Sequence, residues 1–295
     1  MSFLSRATVW DADGPNHVIR GNNLPVITAL PDESFDLIYI DPPFNTGRTQ
    51  VRKAMKNEHV EGGSRIGFAG KPYETVKLSA YKYNDTFGDF WEFLEPRLEQ
   101  AWRLLAPHGT LYVHLDYREV HYAKVLLDAL FGRECFLNEI IWAYDYGGKA
   151  QNKWPAKHDT ILVYVKDPDN YYFDNATVDR EPYMAPGLVT PEKAERGKLP
   201  TDVWWHTIVS PTGKEKTGYP TQKPEGILRR IIQASSAPGA WVLDFFAGSG
   251  TTGAVAASLD RRFVLVDENP ESIAVIKKRF ASAGITAHFS TSRKK

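Results

Sequence analysis

Cysteine is almost missing from this chain of 295 residues: Cys135 is the only one. That excludes a disulfide framework and a zinc site built on thiolates, and it fits a reducing compartment. The eight histidines show no metal-ligand spacing, so no metal is expected. Neither sign of charge is in excess, since 36 Lys and Arg balance 36 Asp and Glu. A protein that coats nucleic acid by bulk charge is thereby disfavoured, and any such contact must come from local basic patches. Long apolar runs are also missing. Met1 to Trp10 has no apolar core of signal-peptide length, and no stretch approaches the roughly 20 apolar residues that span a bilayer. The expectation is a soluble cytoplasmic protein with no membrane partner. There is no internal repeat or low-complexity tract.

What is present is a hydrophobic fraction of 42%, enough for a substantial core. Phe35 to Ile40 is a compact, mostly apolar run stopped by Pro42-Pro43, which predicts a buried parallel strand ending at Asp41. Thr110 to Leu115, Glu139 to Tyr144 and Asp159 to Val165 have the β-branched and aromatic content of strands. Phe90 to Leu105 and Val120 to Phe131 carry apolar residues at helical spacing, and helices between strands imply an α/β sheet with parallel crossovers. Toward the C-terminus, Pro224 is expected in the first turn of a helix with Ile227, Leu228, Ile231 and Ile232 on one face. A strand over Trp241 to Phe245, a glycine-rich turn, a helix over Thr252 to Leu259 and a strand over Phe263 to Val266 follow.

Two stretches break this rhythm. Gly47 to Lys82, which includes Arg48 and Arg52, reads as a long basic loop. Tyr146 to Pro220 is irregular and rich in Pro, Gly, Trp and Tyr, and is expected to form a smaller module. The boundaries are then 1–145, 146–220 and 221–295.

Two motifs carry chemistry. Asp244-Phe245-Phe246-Ala247-Gly248-Ser249-Gly250-Thr251-Thr252-Gly253 puts a glycine turn between a strand and a helix, where backbone approaches a ligand closely and helix N–H groups point at it. Asp267 ends the next strand, roughly 20 residues on, where a carboxylate can accept from ribose hydroxyls, with Glu268 as its fallback. Gly248, Gly250 and Gly253 also match a dinucleotide fingerprint, so a nicotinamide enzyme competes at this point. The second motif is Asp41-Pro42-Pro43-Phe44. Its prolines stiffen the loop and leave carbonyls free to accept, so carboxylate and carbonyl can take the two hydrogens of an aromatic amine stacked on Phe44.

Together, Asp41 to Phe44 and Phe246 to Thr252 resemble the beta class of amino-group DNA methyltransferases, in which the catalytic tetrapeptide precedes the cofactor motif. Thr221-Gln222-Lys223-Pro224 is similar to a further motif of that family. The likeness runs from about Gly21 to Arg279; one departure is Phe245, where many members carry proline. It implies a Rossmann-like, doubly wound methyltransferase sheet of circularly permuted motif order with a smaller target-recognition module. It also implies S-adenosylmethionine as cofactor, held by Asp244, Phe246, Gly248, Ser249, Gly250, Thr251, Thr252, Asp267 and Lys223. Permutation places the strand ending at Asp244 beside the one ending at Asp41 at a topological switch point. Only about two strands can follow Gly253, which disfavours the nicotinamide reading.

The resemblance implies methyl transfer to N6 of adenine in double-stranded DNA, with the base flipped out to reach Asp41. A cytosine-N4 enzyme, in which serine tends to replace Asp41, and a catalytically silent DNA-binding relative are the alternatives. A cytosine-C5 enzyme would need a nucleophilic cysteine, and Cys135 lacks the Pro-Cys context. Phosphate and base contacts are expected from Lys149, Gln151, Asn152, Lys153 and Lys157, and from Arg48 and Arg52. A homodimer and a cognate restriction endonuclease are compatible partners.

Overall fold

The structure is a computed structural model that describes residues 10–43, 48–59, 65–66, 72–85, 90–147, 149–210 and 212–292, with 48–85 described by backbone course alone. The first elements are β1 (His17–Arg20), α1 (Asn23–Ala29), β2 (Phe35–Ile40), β3 (Arg48–His59), β4 (Arg65–Ile66) and β5 (Pro72–Asp85). Then come α2 (Phe90–Leu104), β6 (Leu105–Leu115), α3 (Val120–Phe131), β7 (Phe136–Ala143), β8 (His158–Val165), α4 (Pro191–Arg196) and β9 (Val203–Trp205). The chain closes with α5 (Glu225–Ser235), β10 (Trp241–Asp244), α6 (Thr251–Ser258), β11 (Arg262–Asp267), α7 (Pro270–Ala283) and β12 (His288–Thr291).

Nine strands form one sheet in the order β12-β1-β11-β10-β2-β6-β8-β7-β9. β8 alone runs against its neighbours β6 and β7, so the other eight strands share one carboxyl edge. Burial on both faces explains why the strands read as unbroken apolar runs. Ile38 and Ile40 of β2 enter a core with Leu94 and Leu98 of α2 and Leu127 of α3. Leu37 and Tyr39, on the opposite face, enter another with Ile227 and Ile231 of α5, Val255 of α6 and Ile276 of α7. Helices cover both faces, as the doubly wound reading requires.

Helix ends follow local chemistry. Asn269 caps α7 by accepting from Glu271 N at 2.9 Å, and Gly284 ends it in the left-handed region at φ 67°. Pro224 stands one position earlier than expected, as the N-cap of α5 rather than inside its first turn.

Two expectations about organisation change. The described residues within Gly47 to Lys82 are strands rather than loop: β3 and β5, of 12 and 14 residues, pair antiparallel, and β4 pairs with β5. The ladder pairs the facing backbone groups of β3 and β5 with one another rather than with the main sheet, which a charged loop reading ignores. Tyr146 to Pro220 is not a separate unit either. Its strand β8 lies inside the main sheet between β6 and β7, β9 forms the outer edge, and Asp174 N donates to Ala234 O of α5 at 2.8 Å. A boundary at residue 146 therefore cuts through the sheet.

Candidate active site

β10 pairs parallel with β2, Val242 opposite Leu37 and Leu243 opposite Ile38, which brings Asp244 and Asp41 to the same edge. Strand order reverses here, and open α/β sheets bind ligands at such a point. A cavity of about 290 Å³ opens there. Asp41 and Pro43 line it, whereas Pro42 is buried outside its wall and Phe44 lies outside the described residues. Lys223, which precedes α5, also lines it, and its ammonium forms an ion pair with Asp41 Oδ2. Asp41 Oδ1 is buried and has no hydrogen-bond partner among the described residues. A buried carboxylate oxygen in that state is an acceptor awaiting a donor.

The glycine turn forms the opposite wall. Gly248 and Gly250 are left-handed at φ 49° and 72°, and a Cβ on Gly250 would stand 2.7 Å from Ile276 Cγ1. Gly250 is thus fixed by its turn and by α7 rather than by a ligand, and it does not line the cavity. Gly253, inside α6, lets the helix close onto Leu265, 2.8 Å from where its Cβ would be. Asp244, 2% exposed, accepts from Thr252 Oγ1 at 2.6 Å and Phe246 N at 2.9 Å. Burial pushes its carboxyl up to about 7 despite those donors. Asp267, pushed up by burial to about 6, accepts from Gly248 N and Asn269 N, each at 2.8 Å. Phe246, Gly248, Ser249, Thr251 and Thr252 line the cavity. The hydroxyls of the last three serve the protein itself, Ser249 and Thr251 meeting at 3.0 Å.

Sequence reasoning missed a third wall. Arg97 of α2, 6% exposed, donates from Nε to Asn23 Oδ1 at 2.7 Å and stacks on Phe93 at 3.8 Å. Asn23 Nδ2 in turn donates to Phe245 O at 2.7 Å, tying α1 and α2 to the strand end. Tyr219 covers the turn, its Cε1 3.3 Å from where a Cβ on Gly248 would lie. An arginine in helical register and a tyrosine in an irregular stretch carry no local signal for such roles. The apolar pattern of Phe90 to Leu104 interrupted by Arg97 was the one available hint.

The residues expected to meet DNA are spread along the loop joining β7 to β8, at the same carboxyl edge. Lys149, Gln151, Asn152 and Lys153 lie on its outer part, all four exposed, and Trp154 is 96% exposed. Lys157 instead pairs with Asp145 at 3.2 Å across the loop base, and Tyr144 N donates to Lys157 O at 2.9 Å. The side chains of Arg48 and Arg52 lie outside the described residues. Cys135 sits before β7, at the opposite edge of the sheet, and burial raises its thiol above the ordinary value. Among the described residues no group of His, Cys, Asp and Glu could hold a metal ion, and no helix is long and apolar enough to cross a membrane.

The sequence profile of the DNA methylase family (N6_N4_Mtase) matches residues 35–278, which include both motifs and Lys223. The chain belongs to this DNA methylase family. The methylase is 32% identical over 267 residues to the type II methyltransferase M.HpaI of Haemophilus parainfluenzae, covering 90% of this chain and 74% of that one. It is also 32% identical over 281 residues to the DNA adenine methyltransferase YhdJ of Escherichia coli strain K12, covering 92% and 84%. Among solved structures it resembles TTHA0409, a putative DNA modification methylase of Thermus thermophilus in complex with S-adenosyl-L-methionine. That likeness has a TM-score of 0.57 at 20% identity, covering 95% of this chain and 100% of that one, and it speaks for the fold.

Proposed function

We propose that this methylase transfers a methyl group from S-adenosylmethionine to N6 of adenine in double-stranded DNA, with Asp41 as the group that receives the target amine. The orphaned Asp41 Oδ1 carries this reading, because a buried acceptor at the junction of the two motif strands matches an amine donor. The chain has aspartate, not serine, at this position, and the relative YhdJ is named for adenine.

The cavity suits the cofactor. Asp244 and Asp267, whose carboxyls burial holds partly protonated, gain from a cationic ligand, and the turn at Gly248 leaves backbone open beside them. Bound there, S-adenosylmethionine supplies an activated methyl group on a sulfonium. Asp244, Phe246, Gly248, Asp267 and Lys223 would line its site.

The adenine amine is a weak nucleophile because its lone pair is delocalised into the ring. Asp41 Oδ1 accepts an amine hydrogen and favours the pyramidal nitrogen that the transition state needs. On accepting the methyl group the nitrogen would become cationic and lose a proton, which the Asp41 carboxylate could take. Lys223 keeps Oδ2 fixed, so Oδ1 meets the substrate in one orientation. Pro42 supplies the second acceptor through its carbonyl, and Phe44 the stacking face. A stacked base cannot reach this depth, so the target nucleotide is flipped from the duplex. Lys149 and Lys153 meet phosphates, while Gln151 and Asn152 read base edges. A homodimer and a cognate endonuclease fit this reading.

The test is to digest DNA treated with the purified enzyme and cofactor to nucleosides and identify the product by mass spectrometry. N6-methyladenine made by the native protein and absent with Asp41→Ala is expected; N4-methylcytosine, or product from Asp41→Ala, overturns the assignment.

A further inference from the structure

A chain of buried polar groups runs beneath Asp41, its first member, Tyr39, also lining the cavity. Tyr39, two residues before Asp41 on β2, is 2% exposed, and its hydroxyl lies 2.7 Å from His114 Nδ1 on β6. His114 is fully buried, and its Nε2 lies 3.2 Å from Asp159 Oδ2 on β8. Asp159 Oδ1 accepts from Tyr144 OH at 2.9 Å. The rings of Tyr39 and Trp142 close on the imidazole edge-on, at 6.1 and 5.5 Å. An apolar sheet face would be cheaper to fill with aliphatic side chains, since an incomplete buried network costs more than none.

The direction of the bonds follows from Asp159. Burial works to raise its carboxyl, but His114, Lys223 and Tyr144 outweigh burial and hold it below the ordinary value. As an ionised acceptor it takes a proton from His114 Nε2, and Tyr39 OH meets the other ring nitrogen. The chain therefore links Tyr39, His114 and Asp159, with Tyr144 donating from the far side. Tyr144 closes the base of the β7–β8 loop through its backbone bond to Lys157.

We propose that Tyr39, His114, Asp159 and Tyr144 are positioning residues forming a strut that sets the carboxyl end of β2, and with it Asp41, relative to the loop from Asp145 to Lys157. The strut spans β2, β6, β8 and the end of β7, so a loop that meets DNA and a carboxylate that meets the amine share one rigid reference. This rests on the role proposed for Asp41.

Tyr39→Phe and Tyr144→Phe keep the rings and delete single hydroxyls. Each is expected to slow single-turnover methyl transfer roughly ten-fold, the scale of a small misplacement of reacting groups, with cofactor and DNA dissociation constants within about two-fold of the native values. Because both act through one chain, the double variant should be no slower than the slower single variant. A merely structural role predicts a lower Tm with an unchanged rate for the folded fraction. Tyr39→Phe within about two-fold of the native rate, or losses that multiply in the double variant, overturn the proposal. Should Tyr39→Phe fail to fold, Tyr144→Phe, at the half-buried end, carries the test alone: a native rate overturns it. Native enzyme is assayed alongside, so an inactive native protein counts against the proposed function, not the strut.

Discussion

Lys223 and Asp41, 182 positions apart in sequence, form an ion pair whose side chains are 11% and 14% exposed. Removing one partner of such a pair leaves the other charge buried and uncompensated. Lys223→Met is expected to cost about 3 kcal/mol of stability in denaturant titration and most of the methyl transfer. Asp41→Asn combined with Lys223→Met should regain much of that stability but no activity. A Lys223→Met protein as stable and active as the native one would show that the pair does not form in solution.

At the proposed cofactor site, Asp244 and Asp267 are expected to make binding sensitive to pH. Burial pushes their carboxyls up to about 7 and about 6, so both bind protons in the ligand-free fold that the unfolded chain would release. A raised acid weakens the fold as pH climbs from its ordinary value toward its folded one, and a cationic ligand reverses this by favouring the ionised form. Affinity should therefore rise from about pH 5.5 to about pH 7.5, with protons released on binding. Calorimetry in two buffers of different ionisation enthalpy measures that release, and proton uptake would contradict it.

Asp267 also has a structural duty, because its two oxygens accept the backbone amides of Gly248 in the glycine turn and of Asn269, the N-cap of α7. Asp267→Ala should weaken S-adenosylmethionine binding by about 1.5–3 kcal/mol, as for hydrogen bonds to a charged group. Asp267→Asn, which keeps an acceptor for one amide, should lose less. Equal affinity in all three proteins would move the ribose contact to Glu268.

Methyl transfer should survive chelation. Among the described residues no cluster could hold a metal ion, and the chemistry proposed for Asp41 needs none. Activity lost in EDTA and restored by a divalent cation would reveal a missed site.

Much of this was legible because buried parallel strands and amphipathic helices announce themselves locally. Phe35–Ile40 and Val120–Phe131 match the expected boundaries, and the meeting of Asp41 with Asp244 followed from strand order. The β3–β5 pair was hidden because charges such as Arg52, Lys53, Lys56 and Lys77 break up the apolar alternation by which a half-buried strand is recognised. The motif resemblance assigns Lys223 to the cofactor, whereas its pairing with Asp41 depends on how α5 is placed. The strut was out of reach for a similar reason: Tyr39, His114 and Asp159 meet only once the registers of β2, β6 and β8 are set.

The interior place of β8 limits how a new recognition sequence can arise in this architecture. A recombination event that imported the whole stretch 146–220 from a relative would replace a strand bonded on both sides, together with Asp159. The newcomer would have to fit two antiparallel ladders before it recognised anything. Diversification is therefore channelled into short insertions and point changes on the rim, such as the stretch from Asp145 to Lys157, while the strand beneath is inherited with the rest of the sheet.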